Sequence, residues 1–246
     1  MDERLHALAI APHPDDVELT CAGTIIKLGK MGYRTGVISL TAGEMGTRGT
    51  PEIRRKEFEK AGQTMGLQVH KTLTMPDGNV KVNEENKLKL IHEIRRYRPR
   101  IVFTFYWNTR HPDHHHCSLL VREVSFLAGL SKIDTGLPRY RPARVIYFME
   151  LYEFHPSFIV DVSDAFAVKI QAIKSYESQI YNPDQRQSDE EKTFISSPEF
   201  LQSITTRAEY WGNKIGVKYG EPFLVREPVS IDDPVKLFGE ADITKA

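Results

Sequence analysis

Short apolar runs and amphipathic segments alternate along the first half of the chain, and this alternation is the feature that most constrains the fold. The predicted strands cover residues 5–11, 34–41, 69–73 and 100–107, and the predicted helices cover residues 20–31, 51–65 and 84–97. Strands that alternate with helices at this spacing indicate βαβ units with right-handed crossovers. We therefore predict an α/β fold, with a Rossmann-like, doubly wound, mostly parallel sheet and helices on both faces.

The pattern changes in the second half of the chain. We predict strands over 144–149 and 158–162, helices over 165–181 and 198–218, a mobile loop over 182–191 and a final extended tail. No stretch reads as a linker between domains. We therefore predict one domain over 1–246, with a Rossmann-like core over 1–135 and a C-terminal elaboration of strands, helices and tail over 136–246.

The composition excludes several classes of partner. Lys+Arg and Asp+Glu number 33 each, so no net field attracts nucleic acid or an anionic membrane. No apolar run approaches the ~20 residues that a membrane helix needs, and the first residues lack the order of a signal peptide. The two cysteines, Cys21 and Cys117, form no disulfide framework and are predicted to be small buried residues. We expect a cytoplasmic protein that binds neither nucleic acid nor membrane.

Polar clusters follow three of the predicted strands. "HPDD" occupies 13–16, "TAGEMGTRGT" occupies 41–50 and "NTRHPDHHHC" occupies 108–117. Open α/β sheets bind ligands beyond the carboxyl ends of their strands, so we expect these clusters to converge at one edge. His-Pro-Asp occurs at two of the three strand ends, which indicates a chemical site more strongly than either copy alone.

The first cluster can supply metal ligands and a base. His13 and Asp16 leave one tight turn, and His114 or a neighbour can supply a third ligand. Two histidines and a carboxylate with one open position are typical of catalytic zinc. Asp15 points away from Asp16 and is free to take a proton from a water on the metal. The alternative role for Asp15 is to cap the helix that follows.

The histidine-rich cluster offers further groups. His111 and His114 share a face if this segment is helical, so that one binds metal while the other, as an imidazolium, stabilises an oxyanion. Asp113 can orient one of these two imidazoles. His115 and His116 are predicted to be exposed and to have no role.

"HPDDVE" together with "RHPDHHHC" resembles the PIG-L/LmbE-like family of zinc-dependent N-acetylglucosamine deacetylases. The resemblance extends along nearly the whole chain. The segments that resemble the bacillithiol-biosynthesis branch, which deacetylates N-acetylglucosaminyl L-malate, are "GEMGTRGTPEIRRKE", "MPDGN", "DVSDAF", "KSYESQIYNP", "TFISSPEF" and "IGVKYGEPF". This resemblance implies an amino-sugar substrate, Zn²⁺ as cofactor with Fe²⁺ or another divalent metal as alternatives, and a homo-oligomer, with the hexamer of family relatives as precedent.

The resemblance also implies roles for individual residues. By it, His13, Asp16 and His114 bind zinc, Asp15 is the general base and His111 stabilises the tetrahedral intermediate.

Several further residues resemble family positions that lie near the substrate. Arg144 matches an arginine close to the catalytic aspartate, and Asp77 is a candidate for a sugar hydroxyl. Arg54 matches a sugar-binding arginine, with a surface pair to Glu57 as the alternative.

A malate aglycone carries two carboxylates, which planar guanidinium groups can bind bidentately. Arg110, directly before His111, and Arg48, in the glycine-rich loop, are the best-placed arginines for this role.

Three other functions compete with this interpretation. Two histidines and one carboxylate also describe the facial triad of non-haem iron oxygenases. A Rossmann-like sheet is compatible with a non-catalytic nucleotide-binding module, although no G-x-G-x-x-G follows the first strand. Within the deacetylases, another N-acetylated amino-sugar conjugate is the alternative substrate.

Overall fold

A computed structural model describes residues 3–181 and 192–239. The strands are β1 (Ala7–Ala11), β2 (Thr35–Ser39), β3 (Val69–Thr72), β4 (Ile101–Phe105), β5 (Arg144–Phe148), β6 (Phe158–Asp161) and β7 (Gly220–Val225). The helices are α1 (Asp16–Leu19), α2 (Ala22–Lys30), α3 (Pro51–Met65), α4 (Glu84–Tyr97), α5 (Pro112–Leu127), α6 (Phe166–Lys174), α7 (Pro198–Asn213) and α8 (Pro234–Phe238), and Phe194–Ser196 forms a 3₁₀ turn. The predicted loop over 182–191 lies outside the described residues.

The seven strands form one sheet in the order β3-β2-β1-β4-β5-β7-β6. The first five strands in this order are parallel to one another, and β7 is antiparallel to both β5 and β6. The predicted α/β class, with a mostly parallel sheet, is confirmed. Among the described residues, no helix combines the length and the apolar character needed to cross a membrane.

Strand β1 lies inside the sheet, between β2 and β4, and is buried on both faces. Its side chains alternate between two apolar layers, with Leu8 and Ile10 in one layer and Ala9 and Ala11 in the other. The first layer contains residues of α4 and α5, and the second contains residues of α2 and α6. This double burial explains why the strand reads as a continuous apolar run, and why its polar residues begin only where it ends.

Several elements in both halves of the chain differ from the expectation. The predicted tail contains a strand, β7, which the apolar pattern does not reveal because Gly220, Glu221 and Pro222 interrupt it. The predicted helix over 20–31 begins earlier and is interrupted, and those over 165–181 and 198–218 end earlier, at Lys174 and Asn213. The histidine-rich cluster over 108–117 contains the start of helix α5, which continues to Leu127.

A buried ion pair within the C-terminal half is hydrogen-bonded to the first βαβ unit. Lys169 Nζ lies 2.6 Å from Glu221 Oε1, and both side chains are about 4% exposed. The Glu221 carboxylate also accepts hydrogen bonds from the backbone N–H groups of Gly23 and Thr24. It thereby satisfies two unpaired N–H groups in the first turn of α2 and offsets the partial positive charge of that helix end. Lys169 donates a second hydrogen bond to the carbonyl of Thr20. Strand β7 and helix α6 are thereby fixed against the segment that follows β1.

Lys169→Met is expected to lower the free energy of unfolding by about 3–5 kcal/mol, because it leaves a carboxylate buried without its charged partner. Urea denaturation followed by circular dichroism measures the loss. Lys60→Met is the matched control, since Lys60 forms an exposed pair with Glu177 and exposed pairs contribute little. A Lys169→Met protein as stable as this control would contradict the assigned role of the buried pair.

Acid should destabilise the fold through His70 on β3, whose ring stacks on that of Phe58 with centroids 3.4 Å apart. Burial lowers the pKa of His70 to about 4, whereas an unfolded chain titrates near 6.5. The unfolded chain therefore binds the proton more readily, so the stabilising contribution is complete above about pH 6.5 and is lost as pH falls toward about 4. His70→Gln should reduce this acid-dependent loss, which approaches about 3 kcal/mol, in urea titrations over that range. An unchanged pH dependence would contradict the assignment.

Candidate active site

The turn after β1 separates the two adjacent aspartates. Asp15 adopts a left-handed backbone conformation, with φ 98° and ψ −27°, at the position directly before α1. Its side chain makes no hydrogen bond to the helix end, so the predicted alternative of a helix cap is wrong. Asp16 Oδ2 instead accepts a hydrogen bond from the backbone N–H of His13 at 2.8 Å. The turn therefore presents two carboxylates in different directions.

Three of the predicted ligands meet beside this turn. Asp16 lies between the two imidazoles, with Oδ2 at 3.2 Å from His13 Nδ1 and Oδ1 at 3.2 Å from His114 Nε2. One candidate ligand atom from each residue lies within 4.8 Å of the others. Helix α5 positions His114 in its first turn, after β4 has brought the chain to the same edge of the sheet. The structure thus brings together residues that are about a hundred positions apart in the sequence.

In each imidazole, the ring nitrogen that does not contact Asp16 contacts another carboxylate. His13 Nε2 lies 3.1 Å from Asp77 Oδ1 and 3.4 Å from Asp113 Oδ2. His114 Nδ1 lies 3.1 Å from Glu150 Oε2. Carboxylates in this position fix the orientation and tautomer of a histidine that binds metal. Asp113 therefore orients His13, rather than either of the two histidines to which the sequence assigned it.

The charges around His13, Asp16 and His114 fit a divalent cation. Five carboxylates gather here, those of Asp15, Asp16, Asp77, Asp113 and Glu150, whereas three guanidinium groups line the same cavity, those of Arg54, Arg110 and Arg207. Burial opposes protonation of His114, but the carboxylates of Asp16 and Glu150 outweigh it and raise the pKa of His114 to about 9. The site therefore favours positive charge between these groups, and two nitrogens with one carboxylate suit zinc or a related divalent metal.

Asp15 has the environment of a base that works near neutral pH. Burial raises the pKa of Asp15 to about 7, and the guanidinium of Arg54, 3.6 Å away, opposes that increase. Arg54 is itself buried and donates to the carbonyls of Gly43 and Pro14. The alternative role, a surface ion pair between Arg54 and Glu57, is wrong, because the Glu57 carboxylate accepts hydrogen bonds from Ser178 instead. Arg54 therefore holds the base and the turn together while it lines the cavity.

His111 lies directly before α5 and is a neutral imidazole. Its Nδ1 accepts a hydrogen bond from the backbone N–H of Asp113 at 3.1 Å, which leaves the proton on Nε2. Burial, followed by the positive charges of His13 and His114, lowers the pKa of His111. The predicted imidazolium is therefore replaced by a neutral N–H donor. Its ring centroid lies 4.8 Å from that of His13.

A cavity of about 300 Å³ opens beside these groups. The predicted residues that line it are His13, Asp15, Asp16, Arg54, Asp77, Arg110, His111 and His114. Asp77 lines the cavity and is also bound within the protein, since its Oδ1 lies 3.1 Å from His13 Nε2 and its Oδ2 accepts a hydrogen bond from the N–H of Met45. Its contact with a sugar hydroxyl stays a prediction.

Two predicted arginines lie away from this cavity. Arg144 is exposed at the amino end of β5, opposite the edge that carries the cavity. The predicted position near the catalytic aspartate is therefore wrong, because a residue that begins a parallel strand lies at the other edge of the sheet. Arg48 does not line the cavity, and its backbone carbonyl accepts a hydrogen bond from Gln179. His115 and His116 are half-buried rather than exposed, and His115 Nδ1 lies 2.6 Å from the carbonyl of Trp107.

The sequence did not single out Glu150 and Arg207. Glu150 follows β5, so the strand-end rule that identified the other clusters would have found it. Arg207 lies inside α7, where no local pattern distinguishes it from a surface residue. Its guanidinium donates to the carbonyls of Glu150 and Leu19 and so joins the loop after β5 to the end of α1.

Comparison with known proteins identifies the family. The profile described as PIG-L, GlcNAc-PI de-N-acetylase, matches residues 8–125. A curated relative, diacetylchitobiose deacetylase from Thermococcus kodakarensis, is 31% identical over 229 residues, which cover 87% of this chain and 80% of that protein. The chain belongs to the PIG-L family.

Two further matches extend this comparison. The structure of a conserved protein, TT1542, from Thermus thermophilus is 37% identical in sequence to this PIG-L protein. The match has a TM-score of 0.83 and covers 92% of this chain and 97% of the Thermus thermophilus chain. A Bacillus anthracis protein named "Probable N-acetyl-alpha-D-glucosaminyl L-malate deacetylase 2" is 28% identical over 127 residues, 46% of this chain and 56% of that protein. This PIG-L protein is an amide hydrolase of the deacetylase type, which excludes the oxygenase and nucleotide-binding alternatives.

Two aspartate variants should separate metal binding from proton transfer. Asp16→Ala should lose both metal and activity, because it removes one of three ligands. Asp15→Asn should keep the metal but lose about 10²–10⁴-fold in kcat, because an amide cannot accept the proton. Metal analysis by mass spectrometry beside acetate-release rates measures both, with the exposed Asp232→Asn as control. Full activity in Asp15→Asn would remove this residue from the mechanism.

Proposed function

We propose that this PIG-L enzyme hydrolyses the acetamide of an N-acetylglucosamine conjugate, with Zn²⁺ as its metal. The observation that carries the proposal is the cluster of His13, Asp16 and His114 beside Asp15 in one cavity. The three ligands would hold the ion, and the carboxylates behind both imidazoles would orient them. When bound, the ion supplies Lewis acidity, which polarises the amide carbonyl and lowers the pKa of a water.

The protein's own groups then carry the protons. Asp15 accepts a proton from the attacking water, and the adjacent Arg54 guanidinium counters the rise in the pKa of Asp15 that burial causes. The Nε2–H of His111 donates a hydrogen bond to the oxygen on which negative charge develops. Protonated Asp15 returns its proton to the departing amine, so that acetate and the free amino sugar leave.

We propose N-acetylglucosaminyl L-malate as the substrate. Arg110 supports this choice, because it is exposed at the cavity and forms no ion pair within residues 3–181 and 192–239. Its guanidinium lies 5.9 Å from the ring of Phe194 and can bind a carboxylate from that position. The name of the Bacillus anthracis relative agrees with this substrate.

Phe194 supports a second candidate, an amino-sugar disaccharide. Its ring is 60% exposed at the cavity, beside the exposed side chains of Met45 and Leu151. An exposed aromatic face of this kind can pack against a second sugar ring. The Thermococcus kodakarensis relative is named for such a disaccharide. The homo-oligomer and the cytoplasmic location stay predictions.

The substrate can be identified by acetate release from the zinc-loaded protein on three compounds: N-acetylglucosaminyl L-malate, N,N′-diacetylchitobiose and free N-acetylglucosamine. We expect kcat/KM for the malate conjugate to exceed that for the free sugar by about ten- to a hundredfold, the value of one charge-assisted contact. Arg110→Gln should abolish this preference, whereas the exposed Arg122→Gln should preserve it.

Other results would point elsewhere. A preference for the disaccharide that Phe194→Ala removes would replace malate by a second sugar. Absence of acetate release from all three compounds, in protein shown to contain metal, would contradict the deacetylation of N-acetylglucosamine conjugates.

A further inference from the structure

A second cavity, of about 360 Å³, lies at the amino edge of the sheet. Its walls carry Arg4, Arg34, Arg98, Arg100, His6 and Tyr140. The cavity is therefore lined by four guanidinium groups, although the whole chain has no net charge. Neither the family comparison nor the deacetylase chemistry accounts for it.

The topology brings these arginines together from distant parts of the sequence. Arg34 directly precedes β2, Arg100 directly precedes β4 and Arg4 lies shortly before β1, and these are three adjacent strands. The approaches to the strands are joined by backbone hydrogen bonds, from His6 N–H to the Arg34 carbonyl and from Arg100 N–H to the Leu5 carbonyl. The backbone that carries the arginines is therefore held in place by the sheet.

Acidic side chains are absent from the cavity wall within residues 3–181 and 192–239. In the same part of the chain, neither Arg34, Arg98 nor Arg100 forms an ion pair with a described residue. The nearest acidic neighbour in the sequence, Glu3, pairs with Arg96 outside the cavity. Like charges gathered in one cavity repel one another, so an anion bound there would relieve the repulsion.

Further contacts hold the remaining wall in place. The guanidinium of Arg98 lies 4.9 Å from the ring centre of Tyr140, and the Tyr140 hydroxyl donates to the Pro99 carbonyl. His6 Nδ1 accepts a hydrogen bond from the Arg34 N–H, so the neutral ring keeps a donor at Nε2. The cavity therefore offers the guanidinium groups of Arg34, Arg98 and Arg100 together with further N–H donors, and it has few acceptors to offer a cation.

We propose that this cavity binds a small phosphorylated metabolite through its phosphate or diphosphate group. Guanidinium groups recognise phosphate oxygens bidentately, and about 360 Å³ falls within the range of small-molecule pockets. A concave shape suits a small ligand better than a nucleic-acid backbone, which follows an extended basic stripe. The site lies at the opposite edge of the sheet from His13 and does not depend on the deacetylase proposal.

Calorimetric titration of the 246-residue chain with inorganic phosphate and with diphosphate, at constant ionic strength, tests the proposal. We expect saturable binding of at least one of the two anions. The double variant Arg98→Gln/Arg100→Gln should raise its Kd by at least tenfold, because it removes two charge-assisted contacts. Arg98→Lys/Arg100→Lys should recover part of the affinity, since it restores the charge without the planar fork.

Two single variants serve as controls. Arg122→Gln removes an exposed arginine elsewhere and should leave the Kd unchanged, and Arg110→Gln should do the same because it alters only the catalytic cavity. Equal melting temperatures in chloride buffer verify that the double variant is folded. The proposal is overturned if the wild-type protein binds neither anion, if the double variant binds as tightly as the wild type, or if Arg110→Gln abolishes binding. Binding of heparin without binding of either small anion would also overturn it.

Discussion

The buried guanidinium of Arg54 holds together the two loops on which the candidate active site depends. It donates to the carbonyl of Pro14 after β1 and to that of Gly43 after β2, and it lies 3.6 Å from the Asp15 carboxylate. The left-handed backbone at Asp15 costs about 1–3 kcal/mol and persists only where the surroundings enforce it. Because Arg54 belongs to α3, the geometry of the base depends on the packing of that helix against α6, where Phe58 and Ala61 share an apolar cluster with Ile173.

The two edges of the sheet carry opposite charge. Carboxylates predominate at the carboxyl edge, where they surround His13 and His114 and favour a divalent cation between them. Guanidinium groups predominate at the amino edge, before β1, β2 and β4. Both groups are fixed by the same central strands, so a neutral chain presents two sites of opposite charge. The buried pair of Lys169 and Glu221 then attaches the C-terminal half, including the α7 that carries Arg207.

Much of the site could be predicted because its residues lie directly after strands. His13, Asp16 and His114 follow β1 and β4, and parallel strands end at one edge. The same rule would have found Glu150 after β5, and it would have excluded Arg144, which begins that strand. It could not have found Arg207, because this arginine reaches the cavity from the middle of a helix. Strand β7 was also missed, since the buried charge of Glu221 is stabilised by tertiary contacts, with Lys169 and with the first turn of α2.

The sequence by itself determined the parallel α/β core and the residue types at its carboxyl edge, because both follow from local periodicity and strand order. Only the tertiary structure decided what each side chain does there. It made Asp77 and Asp113 partners of His13, made His111 a neutral donor and placed Arg54 against the base. These roles depend on burial and on distances of a few ångströms between segments far apart in the chain. Such distances are set by the packing of helices on the sheet, which no local pattern encodes.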